Sequence, residues 1–355
     1  MLQELWLFTE MKTKVTIKDI AKEAGVSTAL VSFVMTNLRV GKNVYRVNKE
    51  TTELVLKVAK SLDYQPNMTA RSLKYGKSET IGAIFSDISN PFFSEIARYI
   101  EDESWKYGYS TMFGSTDESS ERLGKLVDVF IGRGVDGLII VPCEGSDEII
   151  SSIIERNIPV VLIDRETAEY PGHSVVLNNE KAAVDLTGKL VAKGCRKIEM
   201  LSYTMSLTNI RERESGYRTA MEKAGLQDNI AISRIPHHET ACRVEEIVRS
   251  ASDRGTDAFL FATNTLAVQG MSAIARAGLK IPDDFEVACF DRNDAFDIFD
   301  IELAYVNQPA KSFAAEAMKC VSDLMSGGRM KRSRVVLEPV VIETGAGRVR
   351  QTNCL

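Results

Sequence analysis

The sequence predicts an α/β protein in which a small, basic, all-helical head precedes two similar lobes of doubly wound parallel sheet. Three observations carry that expectation. Apolar residues near the N-terminus recur at helical spacing; short β-branched runs stopped by Gly or Pro then alternate with amphipathic helices; and the alternation restarts after Val176. With 355 residues, 44% hydrophobic and 26% charged, the chain has the make-up of a soluble protein of two or three domains. Its charge is uneven: residues 11–77 hold 13 Lys/Arg against 5 Asp/Glu, a net +8 in a chain of net −5, so the remainder carries −13. A basic head on an acidic body points to a polyanionic partner for the head alone.

Residues 16–35 read as two short helices over a tight turn. Thr16 caps the first, with Asp19 three residues on as a variant capping box, and Ile17, Ile20, Ala21 and Ala24 form the buried stripe. Gly25 ends it, because glycine enters the left-handed conformation without steric cost. Ser27 caps the second helix, in which Val26, Leu30, Val31 and Val34 face inward and Thr28, Ala29, Ser32 and Phe33 face out. Periodicity alone fits any amphipathic pair. Cap, turn glycine and second cap at this spacing narrow it to a helix-turn-helix, whose second helix lies in the DNA major groove.

A polar loop, 36–47, follows with Arg39, Lys42, Tyr45 and Arg46, residue types suited to the phosphates. Asn48 caps a third helix with Leu54, Val55, Val58, Ala59 and Leu62 on its apolar side, and Pro66 helps to stop the helical run. Asn67 can cap a further segment, 68–74, of about two turns, too short to be a stable helix alone and therefore a natural switch.

Beyond Glu79 the expected strands are 81–85, 109–113, 138–141, 160–163, 197–201, 231–235, 258–262 and 286–290, with two more inside 335–343. Helices are expected from Phe92 through Trp105, from Leu123 through Ile131, and over 181–193, 211–224, 240–252, 265–277 and 311–325. In such folds ligands bind beyond the carboxyl ends of the strands. Asp87, Asn90, Phe92, Asp164, Arg165, Tyr203, Asn209, Arg213, Asn264, Asp291, Arg292 and Gln308 fall there. Carboxylates and Arg forks suit vicinal hydroxyls, and an aromatic ring suits a sugar face.

Six scattered cysteines without a C-x-x-C pair fit reduced thiols in a cytoplasmic protein. The first ten residues are too short and too acidic for a signal peptide; they read as an extension, or as a start assigned ahead of Met11. No apolar run reaches membrane-spanning length. His237-His238 has no acidic or Cys ligand at metal-like spacing, and Gly345-Ala-Gly347 lacks the strand-to-helix setting of a nucleotide loop. No cofactor is expected.

From Met11 onward the chain resembles the LacI/GalR family of bacterial transcription regulators. The matching motifs are Val15-Thr-Ile-Lys-Asp-Ile-Ala-Lys-Glu-Ala-Gly-Val-Ser27, Val47-Asn-Lys-Glu-Thr51, Leu62-Asp-Tyr-Gln-Pro-Asn67, Ser89-Asn-Pro-Phe-Phe93, Val135-Asp-Gly-Leu-Ile-Ile-Val141, Val161-Leu-Ile-Asp-Arg165, Arg211-Glu-Arg-Glu-Ser-Gly-Tyr217 and Ala288-Cys-Phe-Asp291. The resemblance implies a homodimer on a near-palindromic operator and a core like a periplasmic sugar-binding protein. It implies a head over 11–66, a hinge over 67–77 and an effector core over 78–344. The first lobe would take about 78–176 and 309–327, the second about 177–308 and 328–344, with crossings near Val176, Gln308 and Gly327.

By the same resemblance Thr28, Ala29 and Phe33 occupy base-reading positions and Thr16, Ser27 and Ser32 phosphate-contacting ones. Tyr45, Arg46 and Asn67 join the DNA surface, Leu73 matches a wedge into the minor groove, and Ala70 matches the small residue between paired hinges. Phe33 departs from the arginine common there: it offers apolar contact such as with a thymine methyl, or it packs into the head or against the hinge. Effector contacts are implied at Arg213, Asp164, Asn264, Asp291 and Gln308. For those other than Arg213 and Asp291, a helix cap or inter-lobe bridge is an equal reading. The implied effector is a sugar or sugar derivative, and Arg292 with Arg165 would favour an acidic one. The resulting expectation is an effector-controlled repressor. A solute-binding protein would need an export signal and no basic head. An α/β enzyme with Asp87 or Asp164 as base has no G-x-S-x-G elbow, no phosphate loop and no His among the cleft residues to support it.

Overall fold

The computed structural model describes residues 15–40, 44–66, 76–167, 172–293, 296, 302–327 and 333–344. They divide into two compact units between Ser78 and Glu79.

In the first unit, α1 (Ile17–Ala24), α2 (Thr28–Val40) and α3 (Lys49–Ser61) close on Ile20, Ala21, Ala24, Val31, Val34, Val55 and Ala59. Each start is fixed by a side chain that satisfies otherwise orphaned amides. The Asp19 carboxylate accepts from the Thr16 N–H at 2.8 Å and from its hydroxyl at 2.7 Å, and these bonds hold its pKa below the ordinary carboxylate value. Ser27 Oγ accepts from the Leu30 N–H at 3.2 Å, and Asn48 Oδ1 from the Thr51 N–H at 2.7 Å. Gly25 ends α1 at φ 66°. Two expectations need correction. Helix α2 runs on to Val40 where a loop was expected from Thr36; the Thr36 hydroxyl is accommodated on the helix by donating to the Ser32 carbonyl one turn back (2.8 Å). Leu54 is 44% exposed: it precedes the fully buried Val55, and the roughly 100° between successive helical residues carries it off the buried face.

The second unit begins with β1 (Thr80–Phe85), α4 (Pro91–Lys106), β2 (Ser110–Ser115), α5 (Ser120–Gly132), β3 (Gly137–Ile140), α6 (Asp147–Glu155), β4 (Val160–Ile163) and β5 (His173–Leu177). The second lobe holds α7 (Asn179–Ala192), β6 (Ile198–Tyr203), α8 (Thr208–Lys223), β7 (Ala231–Ile235), α9 (Thr240–Arg254), β8 (Ala258–Phe261), α10 (Asn264–Arg276), β9 (Glu286–Phe290) and β10 (Ala304–Asn307). Helix α11 (Ala310–Met325) then returns to pack on α4 and on β3, β4 and β5, before β11 (Arg334–Leu337) and β12 (Val340–Glu343). Helix α6 and strands β5 and β10 are not among the expected elements.

The two sheets have equivalent orders, β11-β5-β4-β3-β1-β2 and β12-β10-β9-β8-β6-β7. Every pairing is parallel except β10 with β12. Helices cover both faces of the first sheet, so its central strands are apolar throughout. Ile81, Ala83 and Phe85 join the larger core, while Ile84 meets Leu123, Val127 and Phe130 beneath α5. In the second lobe Gly216 lets α8 lie directly against α7, since a Cβ there would collide with the Glu180 carbonyl. The crossing expected near Gly327 lies elsewhere. Val335 and Val336 pair in register with Val175 and Val176, which puts β11 in the first lobe, so the chain crosses between Leu337 and Val340. Among the described residues no helix is long and apolar enough to cross a membrane.

Candidate nucleic-acid interface and inter-lobe site

Helix α2 buries Val31 and Val34 and leaves Thr28, Ala29 and Phe33 exposed, with Ser32 half-buried between them. The Phe33 ring, 36% exposed, stacks on Tyr45 with centroids 4.2 Å apart and planes 17° from parallel. Asn37 fixes Tyr45 from both sides: its amide donates to the Tyr45 carbonyl at 2.7 Å and its Oδ1 accepts from the Tyr45 N–H at 2.9 Å. Arg46 is exposed beside it, and the exposed Thr16 hydroxyl donates to Asp19. Phe33 therefore packs within the head and keeps an exposed apolar surface, combining the two readings that its sequence left open. The hinge residues Asn67, Ala70 and Leu73 lie outside the described residues.

In the larger unit, strand ends from the two lobes meet. Asn209 Nδ2, at the start of α8, donates to Asp164 Oδ2 across the lobes at 3.2 Å, and Asn264 Nδ2 donates to Asn90 Oδ1 at 3.0 Å. The Ser206 N–H donates to Glu144 Oε1 at 3.1 Å, and the Thr208 hydroxyl donates to the Glu166 carbonyl. Asn90 also caps α4 through the Phe92 N–H at 3.0 Å, while Asp87 accepts from both the amide and the hydroxyl of Ser89. The Phe92 ring turns onto Phe93 and Phe313 in the core.

Asp164, Arg165, Tyr203, Asn209, Arg213, Asn264, Asp291 and Gln308 are all buried. Arg213 is seated by its own lobe: Nε donates to Asn179 Oδ1 at 2.8 Å, Nη1 to the Ala262 carbonyl at 2.6 Å, and the guanidinium lies 3.9 Å over the Phe290 ring. Burial lowers its pKa, with Asp164 and Asp291 opposing. Gln308 Nε2 donates to Asp291 Oδ1 at 2.6 Å. Burial pushes the Asp291 carboxyl up to about 6 despite Arg213 and Gln308, and raises that of Asp164 against the pull of Arg165 and Arg213. Burial also raises the Tyr203 phenol, whose ring lies 5.2 Å from that of His237. The buried Asp164 Oδ1, Tyr203 hydroxyl and Gln308 Oε1 have no hydrogen-bond partner among the described residues.

Arg165 and Arg292, expected together to favour an acidic ligand, stand in different settings. Arg165 holds Glu118 through two bonds of 2.8 Å and donates a third to the Pro142 carbonyl; burial would lower its pKa, but the Glu118 carboxylate more than offsets this. Arg292 is exposed. Sequence reasoning missed Glu118, Asn179 and Phe290 as partners. Phe290 directly precedes Asp291, so a ring beneath a site arginine was visible; Glu118 and Asn179 carried no local signal. His237 and His238 are exposed in a single 3-10 turn, and the described residues contain no cluster suited to a metal.

Comparison with known proteins follows this division. The lacI family of bacterial regulatory proteins matches residues 16–67, and a periplasmic binding protein-like domain matches residues 187–345. The chain is 31% identical over 330 residues to the HTH-type transcriptional regulator RegA of Clostridium saccharobutylicum, covering 92% of this chain and 98% of that protein. It is 32% identical over 305 residues to a ribose operon repressor of Halalkalibacterium halodurans, covering 84% and 87%. Its fold resembles that of the lac repressor dimer bound to operator and the anti-inducer ONPF, with a TM-score of 0.79 at 22% identity over 94% of this chain and 98% of that one.

Proposed function

The chain belongs to the lacI family of bacterial regulatory proteins, and from that premise we propose that it is a dimeric cytoplasmic repressor whose hold on a near-palindromic operator is set by a small carbohydrate between its lobes. It is a transcription regulator and not an enzyme. The observation that carries the effector reading is a polar, buried seam where the lobes meet. Asn209 with Asp164 and Asn264 with Asn90 bridge it by single hydrogen bonds, while Asp164 Oδ1 and Gln308 Oε1 have no partner among the described residues. A polyhydroxylated ligand can take over such bonds and satisfy the orphaned acceptors, and it exerts control only if it binds one arrangement of the lobes better than the other. Arg165 is committed to Glu118, which favours a neutral sugar over a uronate or phosphosugar. The relative named as a ribose operon repressor puts pentoses first.

Thermal-shift screening against neutral mono- and disaccharides tests this, since a ligand of the native state raises the melting temperature. A hit should also alter operator affinity in fluorescence anisotropy. Arg213→Ala should weaken that ligand by about a hundredfold and leave operator binding intact. A normal response in the variant would remove Arg213 from the site, and no shift with any sugar would overturn the carbohydrate reading.

A further inference from the structure

The exposed side of α2 has an unusual chemical inventory. Direct reading of G or A in the major groove uses Arg, Lys, Asn or Gln, whose forked or extended donors match two atoms of one base edge. From Thr28 to Leu38, α2 contains neither Arg nor Lys, and its one amide, Asn37, has both ends bonded to the Tyr45 backbone. The Thr36 hydroxyl is turned back onto Ser32. In the first two turns Thr28, Ala29, Ser32 and Phe33 remain on that side, with Leu38 exposed farther along the helix. Ala29 and Phe33 stand four residues apart on one face of the helix, as do Thr28 and Ser32. Among these the largest surface is Phe33, stacked on Tyr45, which is itself 38% exposed and pinned by Asn37.

We propose that Phe33 is a specificity-determining residue that reads the 5-methyl group of a thymine, with Tyr45 and Asn37 as the positioning residues that hold its ring in place. This rests on the regulator reading and deepens it. Thymine alone among the four bases presents a methyl in the major groove, and an aromatic edge can gain from covering it without hydrogen bonds. A ring already stacked loses little conformational entropy on binding. Purines lose twice at such a position, because their N7 and exocyclic groups would be stripped of water and left unpaired.

The test uses the full-length protein. Selection from a randomised duplex pool should enrich half-sites with thymine at one fixed position. Replacing that thymine by 2′-deoxyuridine removes only the methyl, and should weaken wild-type binding roughly fourfold per half-site, on the order of 15-fold for both, the effect of one buried methyl each. Phe33→Ala should bind the two duplexes equally, and Phe33→Arg should move the preference at that position to guanine. Tyr45→Ala should lower the thymine-to-uridine ratio toward one and weaken salt-dependent non-specific binding far less, a split that mere loss of head stability would not give. If wild-type protein binds its selected site specifically yet does not distinguish thymine from uridine at any position, the proposal falls and the regulator reading stands. If selection enriches no sequence, both fall.

Discussion

In the first lobe Asp164 follows β4 at φ 66° and Arg165 comes next; in the second, Asp291 follows β9 at φ 69° and Arg292 comes next. Both aspartates donate their backbone N–H to the neighbouring strand, to the Val175 and Val306 carbonyls. The left-handed backbone, uncommon for residues with a side chain, recurs at one position of two sheets with equivalent strand order. Their electrostatics then diverge. Arg165 is buried against Glu118 and touches Asp164, whereas Arg292 is exposed and Asp291 is served by Gln308 and Arg213. A duplicated backbone device fixes where a carboxylate sits; burial raises the pKa of both, and each lobe supplies different neighbours to oppose it.

Several substitutions sharpen or break that contrast. The largest effect belongs to Glu118→Ala, which strands the buried Arg165 guanidinium and should cost about 3–5 kcal/mol, lowering the melting temperature by roughly 10 °C. Asp291→Asn comes next. With its folded pKa raised to about 6 by burial, Asp291 keeps its proton in the folded state where the unfolded chain, near 3.8, has lost it. Stability from this group is therefore full below that lower value, falls as pH climbs toward about 6, and is lowest above it. The variant should gain on the order of 3 kcal/mol at pH 7 without ligand and flatten the melting profile over that window. It should also weaken effector binding, and an unchanged pH profile would place the titration elsewhere. Asn209→Ala removes one bridge between lobes and should cost about 1 kcal/mol in chemical denaturation. Arg292→Ala should be smallest, under about 1 kcal/mol, as expected of an exposed charge; a loss equal to that of Glu118→Ala would abolish the asymmetry.

Much of the fold was legible because local chemistry writes it. Strands Val160–Ile163, Ala231–Ile235 and Glu286–Phe290 have the expected bounds, since short β-branched or apolar runs between Gly, Pro or polar stops leave little choice. The signal at α6 was present in Ile149, Ile150, Ile153 and Ile154 behind an acidic first turn, but brevity hid it, as it hid β5 and β10. Sheet membership was not legible: nothing within Arg334–Leu337 says that it pairs with β5, a choice made by tertiary register. Within the site, residue identities came from motifs, while the commitment of Arg165 to Glu118, 47 residues away, depends on how β2 and β4 are placed. The same limit applies to Phe33, whose partner Tyr45 lies twelve residues on, beyond the end of α2.

The last two strands carry a consequence for how this protein can be taken apart. Strand β11 supplies an edge to one sheet and β12, after only Glu338 and Pro339, an edge to the other. Removing this short tail would strip a border strand from both halves at once, so neither half can be excised or exchanged as a continuous cassette. The main chain also passes between the halves three times, after Leu177, after Asn307 and after Leu337. Three tethers let the halves open and shut about a common axis while resisting shear and twist, so a single proteolytic nick at one tether should leave the other two holding the pair in alignment.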